Sequence, residues 1–374
     1  MLGGRTQGRR WPQRRRSERP VVTSSAAPVA DVTVIIVAYA SRAWLPRCLD
    51  ALSRQTVRPA RVIVVENGSP AGTRVTRSDI PAWIDFIENE TNLGFAGANN
   101  QAARLANTRW IALLNPDAFA EPDWLARLLD AAGRWPDARI FGSTQLAYGR
   151  SGILDGAGDA YHAFGLPFRG GYGLPVSHLP EEGETFSACA AAMMIDRQLF
   201  MDLGGFDERF FCYCEDVDLG FRARLRGEIA IQVSDAVVNH VGYGSSGRWS
   251  PFAVYHGTRN RLWTFAKNMP FPWVWILLPM HAAATIALQF AAIRRGVPLS
   301  YFRGLIDGVF GAGPILRQRK AIQASRAIRR NAIMRVMAWN PFELLGRKPH
   351  VIPAWSRRAH AGHENDLTDK REAP

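Results

Sequence analysis

The sequence is poor in cysteine. Its four cysteines, at 48, 189, 212 and 214 of 374 residues, are too few and too dispersed for a disulfide framework. Cys212 and Cys214 also lack the two-residue spacing of zinc knuckles. Free thiols in a reducing cytosol are the expected state. The start of the chain has no apolar core of a secretory signal peptide, because MLGGRTQGRRWPQRRRSERP is basic and polar. There is no internal repeat. The body also carries little net charge: the formal total is +13, but residues 31–293 hold 23 basic and 26 acidic side chains. The excess lies at the ends, +6 over residues 1–30 and +9 over residues 294–335. That distribution argues against a nucleic-acid partner and assigns any contact with an anionic surface to the two ends.

With 47% hydrophobic and 21% charged residues the composition is globular. Within it, VTVIIVAY (Val32 to Tyr39) is a continuous β-branched run, as expected of a strand buried on both faces of a parallel sheet. A helical pattern, AWLPRCLDALSRQT, follows. ARVIVVENGS is a second buried strand ending in the turn signal Asn67-Gly68. WIDFIEN reads as a third strand, NLGFAGANNQAARLAN as a Gly-punctuated turn entering a helix, RWIALLNPDA as a fourth strand and EPDWLARLLDAAGRW as a helix. This alternation predicts a doubly wound α/β domain with its ligand at the carboxyl ends of the strands. Tyr39, Glu66 and Asp117 each fall at such an end. Residues 146–180 form a long Gly- and Pro-rich irregular segment, of the kind that is usually functional.

Three stretches carry chemistry. In LLNPDAF, Asn115 and Asp117 are two apart at a strand end, so both side chains face one side. Oxygen ligands at this spacing suit a hard divalent cation on a diphosphate, although Asn-Pro-Asp is equally good turn chemistry. NLGFAGANN offers backbone N–H groups at a helix start, where a phosphate can sit, but it lacks the GxGxxG of dinucleotide folds. His240, ending the apolar run VVNH, either serves the structure or completes a metal site as a neutral imidazole. The third stretch is RFFCYCEDVDLGFRARLRG, with Glu215, Asp216 and Asp218 within four residues. Acidic groups favour a helix N-terminus, Asp218 and Arg222 are spaced to pair on the surface, and Val217, Phe221 and Leu225 form a core stripe. Glu215 and Asp216 are adjacent, and one of two such carboxylates can act as a base beside the other.

Taken together and in this order, these segments resemble the family 2 glycosyltransferases with the GT-A fold, over roughly Asp31 to Pro270. VTVIIVAY through VIVVENGSPAGT is similar to that family's nucleotide-binding start, which implies donor contacts from Ala38, Tyr39, Glu66 and Asn67. NLGFAGANNQA and LNPDA resemble its diphosphate and DxD-type segments, adding Asn92, Gly94, Phe95, Gly97, Asn100, Asn115 and Asp117. GGFDERFFCYCEDVDLGFRARLRG resembles its acceptor-side motif, with Asp216 at the position of the base and Glu215 beside it. VVNHVGYGSS…YHGTRNRLWTFAKNMP resembles the ending of rhamnosyltransferase-like bacterial members. The resemblance implies inverting transfer, a single displacement from a dTDP-, UDP- or GDP-linked sugar. It also implies Mg²⁺ or Mn²⁺ held by Asp117 and His240, and a lipid-linked glycan acceptor in cell-envelope polysaccharide synthesis. Glu66 stands where the family usually has Asp, and Asn115 replaces one carboxylate of DxD. A processive polysaccharide synthase would carry QxxRW, but Ser245 takes the place of its Gln. A sugar-1-phosphate nucleotidyltransferase would need a Gly/Arg-rich loop where this chain has AYASRAW. A non-catalytic nucleotide-sugar-binding protein would bind donor without turning it over.

The expected organisation is a disordered basic tail over 1–30, the GT-A domain over 31–270, a helical membrane-associated region over 271–345 and a flexible tail over 346–374. Asn268 to Ile293 is free of charge, and Pro314 to Trp339 reads as one basic amphipathic helix. Together they predict peripheral or monotopic attachment to the anionic cytoplasmic face of the plasma membrane. The opposing reading makes them a buried helical pair covering the catalytic domain.

Overall fold

The computed structural model describes residues 27–242 and 249–353. The strands are β1 (Val29–Ala38), β2 (Arg58–Asn67), β3 (Asp85–Asn89), β4 (Trp110–Leu114), β5 (Ala118–Ala120), β6 (Ile140–Ala147), β7 (Leu154–Gly156), β8 (Asp159–His162), β9 (Leu166–Arg169), β10 (Gly183–Thr185), β11 (Ala192–Asp196), β12 (Ala230–His240) and β13 (Val351–Pro353). The first helices are α1 (Leu45–Ser53), α2 (Gly94–Leu105), α3 (Trp124–Arg134), α4 (Arg197–Asp202) and α5 (Glu215–Leu225). They are followed by α6 (Pro251–Asn268), α7 (Trp273–Ile276), α8 (Leu278–Arg294), α9 (Pro298–Phe310), α10 (Ala312–Ala324), α11 (Ala332–Arg335) and α12 (Pro341–Gly346).

The main sheet runs β13-β10-β12-β6-β11-β4-β1-β2-β3. β3, β2, β1 and β4 are parallel, and β11 is inserted antiparallel between β4 and β6. The β-branched run of β1 is buried on both faces because alternate side chains enter different cores. Val34 and Ile36 share one core with Leu45 and Leu49 of α1 and Trp124 of α3, while Ile35 and Val37 share the other with Ala98 and Ala102 of α2, Leu199 of α4 and Leu219 of α5. The parallel strands therefore end together along one edge, beside the starts of α2 and α5. Val351–Pro353, inside the stretch expected to be a tail, pairs with β10. The basic arm, up to residue 26, and Ser245 lie outside the described residues.

The expectation of a membrane-associated helical region is overturned. Among the described residues no helix is long and apolar enough to cross a membrane. The charge-free segment breaks around Met269–Pro272 and again before Pro279, giving α6, short α7 and α8. The basic stretch is not one helix either: α10 ends at Ala324, and the turn that follows hydrogen-bonds to α5 through Ala327 N–H and Leu225 C=O at 2.9 Å. Part of the apolar surface of this region packs on the catalytic domain, while Trp275, Phe290, Leu299 and Phe310 among others stay exposed. Phe265, Met269, Leu277, Ile333 and Met337 share a core with Val217, Phe221 and Leu225 of α5. α9 lies so close along α6 that a Cβ at Gly304 would stand 2.6 Å from the Tyr255 carbonyl.

Asp218 and Arg222 do pair, at 2.8 Å, but in the interior rather than on the surface. Asp218 also accepts from Lys267 Nζ at 2.9 Å and Asn268 at 2.8 Å, and Lys267 reaches Asp207 at 2.7 Å. Burial opposes ionisation of Asp218, yet Lys267 and Arg222 hold its carboxyl below the usual carboxylate range. This network fixes α6 against α5. Lys267→Ala leaves two carboxylates without their shared cation and should cost about 3–5 kcal/mol of stability, read as a lowered urea midpoint.

Candidate functional site

Two cavities, each of about 480 Å³, open at the strand ends. The first is lined by Tyr39 after β1, Asn67 ending β2, Asn92, Gly94 and Phe95 at the start of α2, Asn115 and Asp117 after β4, and His240 ending β12. The second is lined by Asp159, Cys189, Glu215 and Asp216, with α6, α8 and α9 behind them. Phe95, Asn115, Arg169, Cys212 and Tyr213 line both, so the cavities share a wall.

Four residues of the same motifs do not line the first cavity. Ala38 is buried in the core beside α1, and Gly97 is buried within α2. Glu66 is fully buried and accepts from Ser69 N–H at 2.7 Å and Val75 N–H at 3.0 Å, closing its own loop. Asn100 donates to Phe206 C=O at 2.9 Å and to Glu208 at 3.0 Å, tying the GGFDE turn to α2. At the start of α2 the Leu93, Gly94 and Ala96 N–H groups donate to Asn67, Asn92 and Phe211 C=O respectively. Gly94 has φ +75, and a Cβ there would stand 2.6 Å from the Phe211 ring. Only glycine allows that approach.

His240 Nε2 lies 3.4 Å from Asp117 Oδ1 and 3.5 Å from Asn115 Nδ2. Its Nδ1 lies 2.7 Å from Asp155 Oδ2, and the same oxygen accepts from the Arg169 guanidinium at 2.6 Å. Burial disfavours the imidazolium, but the bonds to Asp117 and Asp155 outweigh it and hold the His240 pKa above its usual value. A carboxylate on Nδ1 orients the ring so that Nε2 faces Asp117, the arrangement common behind metal-ligating histidines. The pair therefore fits a divalent cation. Asp155 and Arg169 were missed in the sequence because they lie in the irregular segment, where no periodicity marks them.

A strained loop leads to the acidic pair. Phe211 has φ 65 and ψ −63, with Cys212 N–H donating to Phe210 C=O at 2.7 Å, a classic γ-turn, which is rare and costly. Tyr213 (φ 71) and Cys214 (φ 64) are also left-handed. Such backbone survives only when its surroundings over-determine it. Here Asn260 Nδ2, fully buried on α6, lies within 2.8–2.9 Å of the carbonyls of Phe210, Cys212 and Tyr213. Arg259 donates to the carbonyls of Arg209 and Phe210 at 3.1 and 3.0 Å. Asn260→Ala leaves buried carbonyls unpaired and should cost about 1–3 kcal/mol, read by chemical denaturation, with kcat falling more than donor affinity as the acidic pair loses its placement.

Asp216 Oδ2 accepts from Ala190 N–H at 3.1 Å and Oδ1 from Val217 N–H at 2.8 Å. Burial raises its pKa, and these backbone donors pull against that rise. Glu215 is buried with Oε2 unpartnered among the described residues. Burial, then the charge of Asp216, pushes it well above the carboxylate range. Both carboxyls are raised, and Asp216, with its two backbone donors, is the better placed of the pair to ionise. Asp159, Cys189 and Asp216 bring ligand atoms within 4.8 Å of one another. Burial, with Asp216 next, raises Asp159 to about 8, and burial raises the Cys189 thiol to about 12. A neutral thiol beside a protonated carboxyl is a poor set for Mg²⁺ or Mn²⁺, so Asp117 and His240 fit such an ion better.

A mixed sheet whose parallel half ends at a polar cavity, beside a second cavity holding a buried acidic pair, is the arrangement expected of a GT-A transferase. Comparison with known proteins agrees. The family described as "Glycosyl transferase family 2" matches residues 33–171. An N-acetylglucosaminyl-diphospho-decaprenol L-rhamnosyltransferase of Mycobacterium tuberculosis is 31% identical over 255 residues, which cover 60% of this chain and 80% of that protein. The O-antigen biosynthesis protein RfbC of Myxococcus xanthus is 28% identical over 63% of this chain and 20% of its own length. The crystal structure of GalNAc-T7 with UDP, GalNAc and Mn²⁺ shares the fold, with TM-score 0.50 and 16% identity over 65% of this chain and 51% of that one. The chain belongs to the family 2 glycosyltransferases and is related to bacterial rhamnosyltransferase-like enzymes. It is an enzyme that moves a sugar from a nucleotide-diphospho-sugar donor.

Proposed function

We propose that the chain is an inverting, divalent-cation-dependent hexosyltransferase of polysaccharide biosynthesis, acting on a lipid-linked glycan with Asp216 as base. The observation that supports this most is the shared wall: the cavity holding Asp117 and His240 adjoins the cavity holding Asp216. Donor in the first and acceptor in the second would meet there. The Asp216 carboxylate takes the proton of the acceptor hydroxyl as its oxygen bonds to the anomeric carbon. The bond from that carbon to the diphosphate oxygen breaks, and the nucleoside diphosphate leaves with the electron pair. Asp117 and His240 would hold the Mg²⁺ or Mn²⁺, which when bound neutralises charge on the leaving diphosphate. Protonated Glu215 can donate a hydrogen bond to the acceptor. Arg169, on both cavity walls, adds positive charge beside the departing phosphates.

The donor contacts proposed are Tyr39, Asn67, Asn92, Gly94, Phe95 and Asn115 around the first cavity. Ala38, Glu66, Gly97 and Asn100 support that wall from behind. A rhamnosyl donor and a lipid diphosphate acceptor are favoured by the name of the M. tuberculosis relative. The test is a panel of dTDP-, UDP- and GDP-linked sugars, rhamnosyl donor included, assayed for cation-dependent hydrolysis and transfer. Turnover of one donor class is expected. Binding of a nucleotide sugar with neither hydrolysis nor transfer would contradict the enzymatic reading.

A further inference from the structure

Arg261 of α6 is 5% exposed and lies on the wall of the second cavity. Its guanidinium donates to Thr285 Oγ1 at 2.9 Å and to the Tyr301 hydroxyl at 3.2 Å. The Tyr301 hydroxyl donates in turn to Thr285 C=O at 2.7 Å, which leaves its lone pairs for Arg261. Its other close electrostatic neighbours, Cys214 and Tyr161, are neutral too. Among the described residues no carboxylate pairs with it. The other deeply buried cations here are treated differently: Arg222 has Asp218, Arg224 has Glu184, and Lys267 has Asp207 and Asp218. A buried guanidinium without a counter-charge is expensive. One that faces a cavity has an evident use, because a ligand can bring the missing anion.

The cavity around it has a mixed lining. Asp216 and Glu215 line it together with Trp249, Val254, Leu288 and Ala292, which share an apolar cluster at α6 and α8. Two of the acids near Asp216 repel an incoming anion less than ordinary carboxylates would, since burial favours the neutral form of Asp159 and Glu215. We propose that Arg261 is the anion-recognising residue of the acceptor subsite, the group that reads the phosphate of the lipid-linked acceptor proposed above. Such a molecule presents hydroxyl, anion and chain, and the cavity lining offers a base, a guanidinium and apolar side chains to receive them. The fork of the guanidinium matches two phosphate oxygens. This assignment rests on Asp216 marking the acceptor end of the site, but its test does not use turnover.

The test is equilibrium binding to the full chain by calorimetry, with the donor cavity saturated by the nucleoside diphosphate that the donor panel identifies. Three probes are compared: farnesyl diphosphate, farnesol and inorganic diphosphate. Wild type should bind farnesyl diphosphate at least about tenfold more tightly than either other probe, the scale of one charged hydrogen-bonded contact. Arg261→Gln should erase the preference over farnesol, and Arg261→Lys should keep part of it. Equal affinity for farnesol in wild type, or an unchanged preference in Arg261→Gln, overturns the role of Arg261. Equal affinity for inorganic diphosphate assigns the site to free phosphate and overturns the lipid part. If Arg261→Gln fails to fold by circular dichroism, the wild-type comparison and Arg261→Lys decide. Failure of every nucleotide sugar to bind would instead count against the donor reading.

Discussion

Asp216→Asn should lower transfer by about 10²–10⁴-fold, the range for loss of a general base, while nucleotide affinity stays close to that of wild type. The substitution keeps the size of the side chain and one oxygen. It removes the proton acceptor and leaves one of the two backbone donors, Ala190 or Val217 N–H, facing an amide NH₂, so a stability loss of about 1 kcal/mol accompanies it. The pH profile carries the same information. A base must be ionised to act, and burial raises the Asp216 pKa above the ordinary carboxylate value. Transfer should therefore fall as pH drops through that raised pKa and recover as pH rises past it. In Asp216→Asn this limb of the profile should vanish. A variant retaining more than roughly a third of wild-type turnover, far outside the range for a lost base, would move the role to Glu215.

The second large effect concerns the cation. Asp117→Ala should reduce transfer by about 10²-fold or more, as expected when stabilisation of developing charge is lost. Excess EDTA should do the same to wild type, with Mn²⁺ or Mg²⁺ restoring activity. His240 keeps its bond to Asp155 when Asp117 is removed, so the loss would report the missing oxygen ligand rather than a displaced imidazole. Full activity of wild type in excess EDTA would contradict the assignment.

The parallel half of the sheet was legible because its signal is local. β-branched runs mark β1 and β2, and the ends of strands are where ligands collect, which singled out Tyr39, Asn115, Asp117 and His240; these residues line one cavity. Glu66 and Asn100 belong to the same motifs but spend their polar atoms on nearby and distant backbone. Nothing in their immediate sequence distinguishes a scaffold carboxylate from one that faces a ligand. Asp155 and Arg169 stand on the short strands β7 and β9, inside a stretch whose sequence shows no periodicity, and their meaning comes from the contact of Asp155 with His240, far away in sequence. Asn260 and Arg261 lie inside YHGTRNRLWTFAKNMP, a stretch matched as a family ending without a role for either residue. Their roles depend on the strained carbonyls and the cavity they face, which only the tertiary structure brings together. The C-terminal helices misled for a related reason. A charge-free run and a basic stretch have the same composition whether they pack on α5 or lie at a membrane, and the breaks at Pro270, Pro272 and Ser325 decided for packing.

The central claim is a single displacement with Asp216 as base, and the anomeric configuration of the product tests it most directly. With a donor of defined configuration taken from the panel, proton NMR of the glycoside formed by wild type reads the configuration at the anomeric carbon. The account predicts inversion relative to the donor, with no covalent glycosyl-enzyme trapped during turnover. A product that retains the donor's configuration would contradict it.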